Sequence, residues 1–150
     1  MQNNIQWKIS PFEGLSLDEL YKLLQLRSEV FVVEQNCVYQ DIDGKDHKAL
    51  HLLGIENNQI IAYARLFKPN DYFEKASIGR VIVKPTHRSN ALGHQLMIHA
   101  IKGIKEHYNQ TEITISAQLY LKEFYQSHQF VQTSDPYLED GIPHIEMKRE

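Results

Sequence analysis

The chain has 150 residues, 42% of them hydrophobic and 23% charged, with a formal net charge of −3. These values suit one soluble domain over residues 1–150, long enough to bury roughly 70% of its unfolded surface. A slightly acidic chain without a basic stripe argues against a nucleic-acid or anionic-membrane partner. The opening residues have no basic region followed by an apolar stretch, so no signal peptide is expected. No apolar run reaches the roughly 18 residues of a membrane span. The lone cysteine, Cys37, has no partner for an internal disulfide. That suits a reducing compartment, and a cytoplasmic location is expected.

Ile5 to Ile9 alternates apolar and polar residues and reads as a strand. Ser16-Leu17-Asp18-Glu19 is a capping box, and the apolar spacing after it predicts a helix to about Val33. Asn36 to Lys48 is polar and reads as a loop. Leu50–Ile55 and Gln59–Phe67 read as a hairpin, turning through Asn57 and Asn58, which tolerate positive φ. Lys68 to Lys75 reads as a second loop. Ser77–Val83 is a strand stopped by Pro85. A helix follows from about Asn90 to Tyr108, with an apolar stripe of Leu92, Leu96, Ile98, Ile101 and Ile104. Glu112–Ala117 reads as a strand and Tyr120–Ser127 as a short helix. Phe130–Thr133 and His144–Lys148 are late strands. The strand–helix–strand passage implies a parallel pair with a crossover, and the hairpin implies antiparallel pairing elsewhere. An α/β (α+β) mixed sheet with helices packed on it accommodates both.

Charge is unevenly distributed. Between Lys75 and Lys105 there is no Asp or Glu, while Arg80, Lys84, Arg88 and Lys102 lie within that span. Its middle is a strand-to-helix junction, Val83 to His94. A helix start offers unpaired N–H groups and about half a positive charge. Ser89, Ala91 and Gly93 are small enough to let a ligand approach the backbone, and Arg88 adds a fork of donors suited to phosphate oxygens. These features describe a pyrophosphate cradle, although a plain amphipathic helix with a basic start fits the same residues. The P-loop pattern is absent, and the dinucleotide fingerprint fails because the junction holds only Gly93. The acidic residues near Asp41 lack an EF-hand pattern, since Leu52 stands where a Glu is needed. The histidines show no metal-ligand spacing, so no metal is expected.

Arg88-Ser89-Asn90-Ala91-Leu92-Gly93 resembles the acetyl-CoA signature of the GNAT N-acetyltransferases, Gln/Arg-x-x-Gly-x-Gly/Ala, with Ala91 in place of the first glycine. Phe124-Tyr125-Gln126-Ser127-His128-Gln129-Phe130 resembles the Phe-Tyr-x-x-x-Gly-Phe segment of that family, with Gln129 in place of glycine. The blocks Leu24–Arg27, Val30–Cys37, Tyr39–Gly44 and Glu139–Ile145 resemble the ElaA-like subgroup, so the likeness covers nearly the whole chain.

The resemblance implies a GNAT fold, a central sheet of about six to seven strands with about four helices. It implies acetyl-CoA as donor, a primary amine of unspecified identity as acceptor, and a homodimer paired through late strands. Backbone groups of Val81, Ile82 and Val83 would hold the pantetheine arm and polarise the thioester. Residues Arg88, Ser89, Asn90, Ala91, Leu92, Gly93 and His94 would hold the pyrophosphate, and Gln118 the pantetheine amides. Tyr125 stands where the family protonates the departing thiolate; as a core aromatic it would have no such role. The amine attacks directly, so Cys37 is not needed as a nucleophile. The attacking amine must first lose a proton. Glu34 is the first candidate base, and His144 and His51 are the alternatives. The carboxylates Glu34, Asp41, Asp43 and Asp46 form either an acidic wall for a cationic acceptor or a solvated loop. Two other functions are compatible with these residues: a non-catalytic CoA-binding sensor of the same fold, and an enzyme using the basic junction for another phosphate ligand such as a nucleotide.

Overall fold

The computed structural model describes residues 4–150; the part of the N-terminal reading that rests on residues 1–3 lies outside the described residues. Eight strands form one mixed sheet: β1 (Gln6–Pro11), β2 (Leu50–Glu56), β3 (Gln59–Phe67), β4 (Ala76–Val83), β5 (Ile113–Gln118), β6 (Val131–Gln132), β7 (Tyr137–Glu139) and β8 (Ile142–Arg149). Three α-helices accompany them: α1 (Leu17–Arg27), α2 (Leu92–Tyr108) and α3 (Lys122–Gln126). The sheet order is β1-β2-β3-β4-β5-β8-β6, with β7 on β8. Only β4 and β5 run parallel among the described strand pairs, and α2 is the crossover between them.

The local signals explain most boundaries. The Ser16 hydroxyl accepts from Glu19 N–H at 3.0 Å, and Glu19 accepts from Ser16 N–H at 2.9 Å, which satisfies two orphan donors of α1. The β2–β3 turn places Asn57 and Asn58 at φ 50 and 63, the left-handed pair that a two-residue hairpin needs. Helix α1 stops at Arg27, short of the expected Val33; the chain continues as a wider π-helical segment, Ser28–Glu34. The strand Tyr137–Glu139 is an addition to the expected set, so the sheet exceeds six or seven strands. The expected helix start at Asn90 is a tight 3-10 turn, Pro85–Asn90, before α2.

Alternation along the strands fills both faces of the sheet. On one face Leu92, Leu96, Met97, Ala100 and Ile104 of α2 pack on Leu52, Ala62, Ala64 and Ile115. On the other, Leu23, Leu26 and Val30 pack on Leu53, Tyr63 and Ile82.

Beside this second core lies a buried ionic network. Arg27 and Arg65 are almost fully buried, and each reaches Asp46, at 2.7 and 3.0 Å. Arg27 also meets Asp41 at 2.8 Å, and Arg65 meets Asp43 at 2.8 Å. Arg80 of β4 closes the set on Asp41 at 2.7 Å. Three guanidinium groups thus neutralise three carboxylates from the loop between the π-helical segment and β2. That loop is neither an open acidic wall nor a solvated segment, because Asp41, Asp43 and Asp46 are folded inward. His51, one of the alternative bases, is also buried; it bonds Tyr63 Oη at 2.6 Å and the Asp46 carbonyl at 2.9 Å.

Burial alone would raise the Asp43 carboxyl, but the hydrogen bonds and charge of Arg65 hold it down at about 2. Burial opposes Arg27 and Arg65 in the same way at Asp46, and the arginines win. A depressed folded-state pKa gives stability that is present above the ordinary carboxylate value and lost as pH falls through the folded one. Stability should therefore fall as pH drops from about 4 towards about 2, which acid titration of the melting temperature will read. Breaking the network should cost more at neutral pH. Asp46→Asn leaves two buried guanidinium groups undercompensated, with an expected loss of about 3–5 kcal/mol and a melting temperature lower by roughly 10 °C or more.

Candidate functional site

Strand β4 pairs with β5 only at Ala76↔Ile113 and Ser77↔Thr114. Beyond Ser77 the two strands part. On its other edge β4 stays paired to β3, but the register slips between Tyr63 and Arg65, and Arg80 sits at φ 50 within this irregularity. An extra residue in one strand bends it and raises its twist. The left-handed conformation costs a residue with a Cβ about 1–2 kcal/mol; here Arg80 is held by its ion pair to Asp41 and by a bond to the Asp41 carbonyl at 3.0 Å. The network thus reaches β4 at its point of distortion.

The parted strands enclose an open cavity of about 690 Å³, within the usual range for a small-molecule site. Val81, Ile82 and Val83 line it, on the length of β4 that has left β5. Its first end meets the start of α2, where Arg88, Ala91, Gly93 and His94 line it. Helix α2 has no side-chain cap and no acidic residue in its first turn, so its leading N–H groups and positive dipole end are available to an anion. Gly93 lies against Phe124 and Val83, and an added Cβ would meet Phe124 at 3.4 Å.

Two expected cofactor residues do not line the cavity. The Leu92 side chain is in the core, and Ser89 is exposed outside the cavity wall. Asn90 closes the 3-10 turn, and its side chain lies outside the described residues. Gln118, at the end of β5, lines the cavity and faces Gln35 across it at 3.4 Å. Tyr125 of α3 also lines the cavity, and burial pushes its hydroxyl above the ordinary tyrosine value.

The three candidate bases separate. His51 is sealed in the ionic network. Glu34 lines the cavity, but both its oxygens are taken by the Arg88 fork at 2.6 and 2.7 Å. That hydrogen-bonded pair holds its carboxyl below the ordinary value, which makes it a weak proton acceptor. His144 lines the second end of the cavity and is nine-tenths buried. Its Nδ1 lies 2.7 Å from the Ile142 carbonyl and must donate to it. In the neutral ring Nε2 therefore carries the free lone pair.

Residues outside the sequence expectation complete this end. Glu139 of β7 sits with Oε2 at 3.6 Å from His144 Nε2, and Ser116 donates to Glu139 Oε1 at 2.9 Å. The only hydroxyl hydrogen of Ser116 is then used, so Tyr137 donates to Ser116 across 2.6 Å. A signal for this arrangement exists in the sequence. Asp140-Gly141, at φ 52 and 77, is the turn between β7 and β8, and a hairpin there places Glu139 beside Ile142.

A family model described as an acetyltransferase (GNAT) domain matches residues 16–150. The chain belongs to the GNAT acetyltransferase family, with the fold of an acyl-CoA N-acyltransferase. It is 46% identical over 148 residues to the protein ElaA of Escherichia coli K12, covering 97% of each chain. The crystal structure of Escherichia coli ElaA superposes with a TM-score of 0.91, covering 97% of this chain and 99% of that one. An acyl-CoA N-acyltransferase from Pseudomonas aeruginosa, 42% identical, superposes at 0.93 over 98% of this chain and 100% of that one. A GNAT family acetyltransferase from Elizabethkingia anophelis, solved with acetyl-CoA bound, shares the fold at 19% identity and a TM-score of 0.66, over 99% of each chain. Among the described residues no cluster of metal-binding side chains occurs, and no helix is long and apolar enough to cross a membrane.

Both departures from the family pattern fall at strained backbone. Ala91 has φ 54 and Gln129 has φ 71, so glycine would be relaxed at either place. Ala91→Gly and Gln129→Gly should each raise stability by about 0.5–1 kcal/mol, the left-handed penalty less the glycine entropy. Thermal melting of the two variants checks this.

Proposed function

We propose that the chain is one catalytic domain that transfers the acetyl group of acetyl-CoA directly to a primary amine. The observation that carries this is the meeting of two unpartnered backbone elements in one cavity: the β4 edge freed from β5 and the uncapped start of α2. The first suits the amides of a pantetheine arm, and the second suits a pyrophosphate. Val81 to Val83 would face the arm, Gln118 would bond its amides, and Ala91, Gly93 and His94 would lie against the phosphates. Arg88, with Glu34 kept as its counter-ion, offers the phosphates the second N–H of each terminal nitrogen.

In the reaction the amine nitrogen attacks the thioester carbon. A C–N bond forms and the C–S bond breaks. His144 Nε2 takes the proton that the amine gives up, and a backbone N–H of the bulged β4 steadies the developing oxyanion. Tyr125, protonated at neutral pH as any tyrosine is, donates a hydrogen bond to the departing thiolate. Glu34 serves as the counter-ion of Arg88 rather than as base. The single cysteine supports a cytoplasmic setting. Pairing of two copies along the late strands, readable by light scattering, belongs to the same proposal.

Melting with acetyl-CoA, CoA, ATP and NAD at one concentration is the first test. Saturation about 100-fold above Kd should add roughly 2.7 kcal/mol, and stabilisation is expected from the two CoA ligands alone. No shift with either would overturn the proposal, and a shift with ATP or NAD alone would indicate a nucleotide enzyme. Thiol release then assigns the roles. His144→Gln and Tyr125→Phe should each lower kcat about 100-fold, while Glu34→Gln keeps kcat within about threefold. Stabilisation by acetyl-CoA without release of thiol in the presence of any amine would mark a CoA sensor instead.

A further inference from the structure

The second end of the cavity has chemistry that the acetyl donor does not use. His144 is nine-tenths buried, with its Nε2 free of any hydrogen bond within 3.5 Å among the described residues and facing Glu139 Oε2 at 3.6 Å. A nitrogen can lie about 2.9 Å from both atoms at once across that gap, the ordinary hydrogen-bond distance. Glu139 is held in place by the Ser116 bond, which Tyr137 supports in turn.

Tyr72 and Phe73 supply an apolar wall to the same cavity. The surrounding charge is selective. Arg65, Arg80 and Arg88 reach the cavity, but each is paired in charge, the first two with Asp41, Asp43 and Asp46 and the third with Glu34; Arg65 Nε has no partner and is sealed from solvent. No lysine lines the cavity among the described residues. A carboxylate carried by the acceptor would therefore meet Glu139 without a free cation to balance it.

Resting on the acetyltransferase proposal, we infer that Glu139 is the acceptor-binding residue. It takes a small primary amine by its ammonium group, held between Glu139 and His144 with an apolar body against Tyr72 and Phe73, and it rejects amines bearing a carboxylate next to the nitrogen. The ammonium passes one proton to His144 Nε2, so the cationic charge moves from substrate to imidazole while the Glu139 carboxylate balances both states. The neutral amine then attacks the thioester.

The test compares 2-phenylethylamine with phenylalanine, which adds only the carboxylate, by thiol release from acetyl-CoA in parallel with melting on acetyl-CoA. The wild-type protein should acetylate 2-phenylethylamine with a kcat/KM at least tenfold above phenylalanine. Glu139→Gln should raise KM for the amine tenfold or more, with KM for acetyl-CoA and the melting temperature unchanged. Ser116→Ala should raise it by a smaller factor. Phenylalanine preferred or equal, or an unchanged amine KM in Glu139→Gln, overturns the acceptor assignment and leaves the acetyltransferase proposal standing. Stabilisation by acetyl-CoA with no thiol release from either amine also overturns the acceptor assignment. No stabilisation and no thiol release removes both.

Discussion

The parting of β4 from β5 is the constraint on which the site depends. Two parallel strands that stayed paired would satisfy each other's backbone and leave no room between them. Here pairing stops after Ser77, and the freed edge of β4 becomes a cavity wall. The distortion that accompanies the parting is a left-handed Arg80 in a bulge. A residue with a Cβ persists there only because its surroundings fix it. The fixing groups are Asp41 and, through it, Arg27, with Asp46 tying Arg65 into the same set.

This arrangement assigns a purpose to burying charge. Ion pairs removed from water contribute little net stability compared with apolar packing. They do impose geometry, since a buried guanidinium has few positions in which its donors are matched. The loop that carries Asp41, Asp43 and Asp46 is thereby stapled to α1, β3 and β4 at once. The same staple borders the cavity, because Arg65 and Arg80 line it.

The cavity is polarised along its length. At the α2 end an uncapped helix start and Arg88, paired with Glu34, suit phosphate. At the β7–β8 end His144 and Glu139 suit a cation. Tyr125 lines the same cavity.

Short-range signals were legible in the sequence. The capping box at Ser16, the Asn57-Asn58 turn, the stop at Pro85 and the apolar stripe of α2 each depend on a few neighbouring residues, and each is present where the pattern placed it, except that Ile98 of the stripe is exposed and Met97 and Ala100 are buried beside it instead. The basic junction and the Tyr125 block were legible too, as resemblance and as local charge. What the sequence did not determine is pairing across long separations. Asp41, Asp43 and Asp46 read as exposed acids because their partners lie 14 to 39 positions away along the chain. Glu34 read as a base because nothing local shows that Arg88, 54 positions on, occupies it. His144 and Glu139 are close in sequence, yet only the β7–β8 hairpin turns both towards the cavity, and only the departure of β4 from β5 makes a cavity for them to face. Local propensity needs a few adjacent residues; the protonation and accessibility of a side chain depend on every element packed around it.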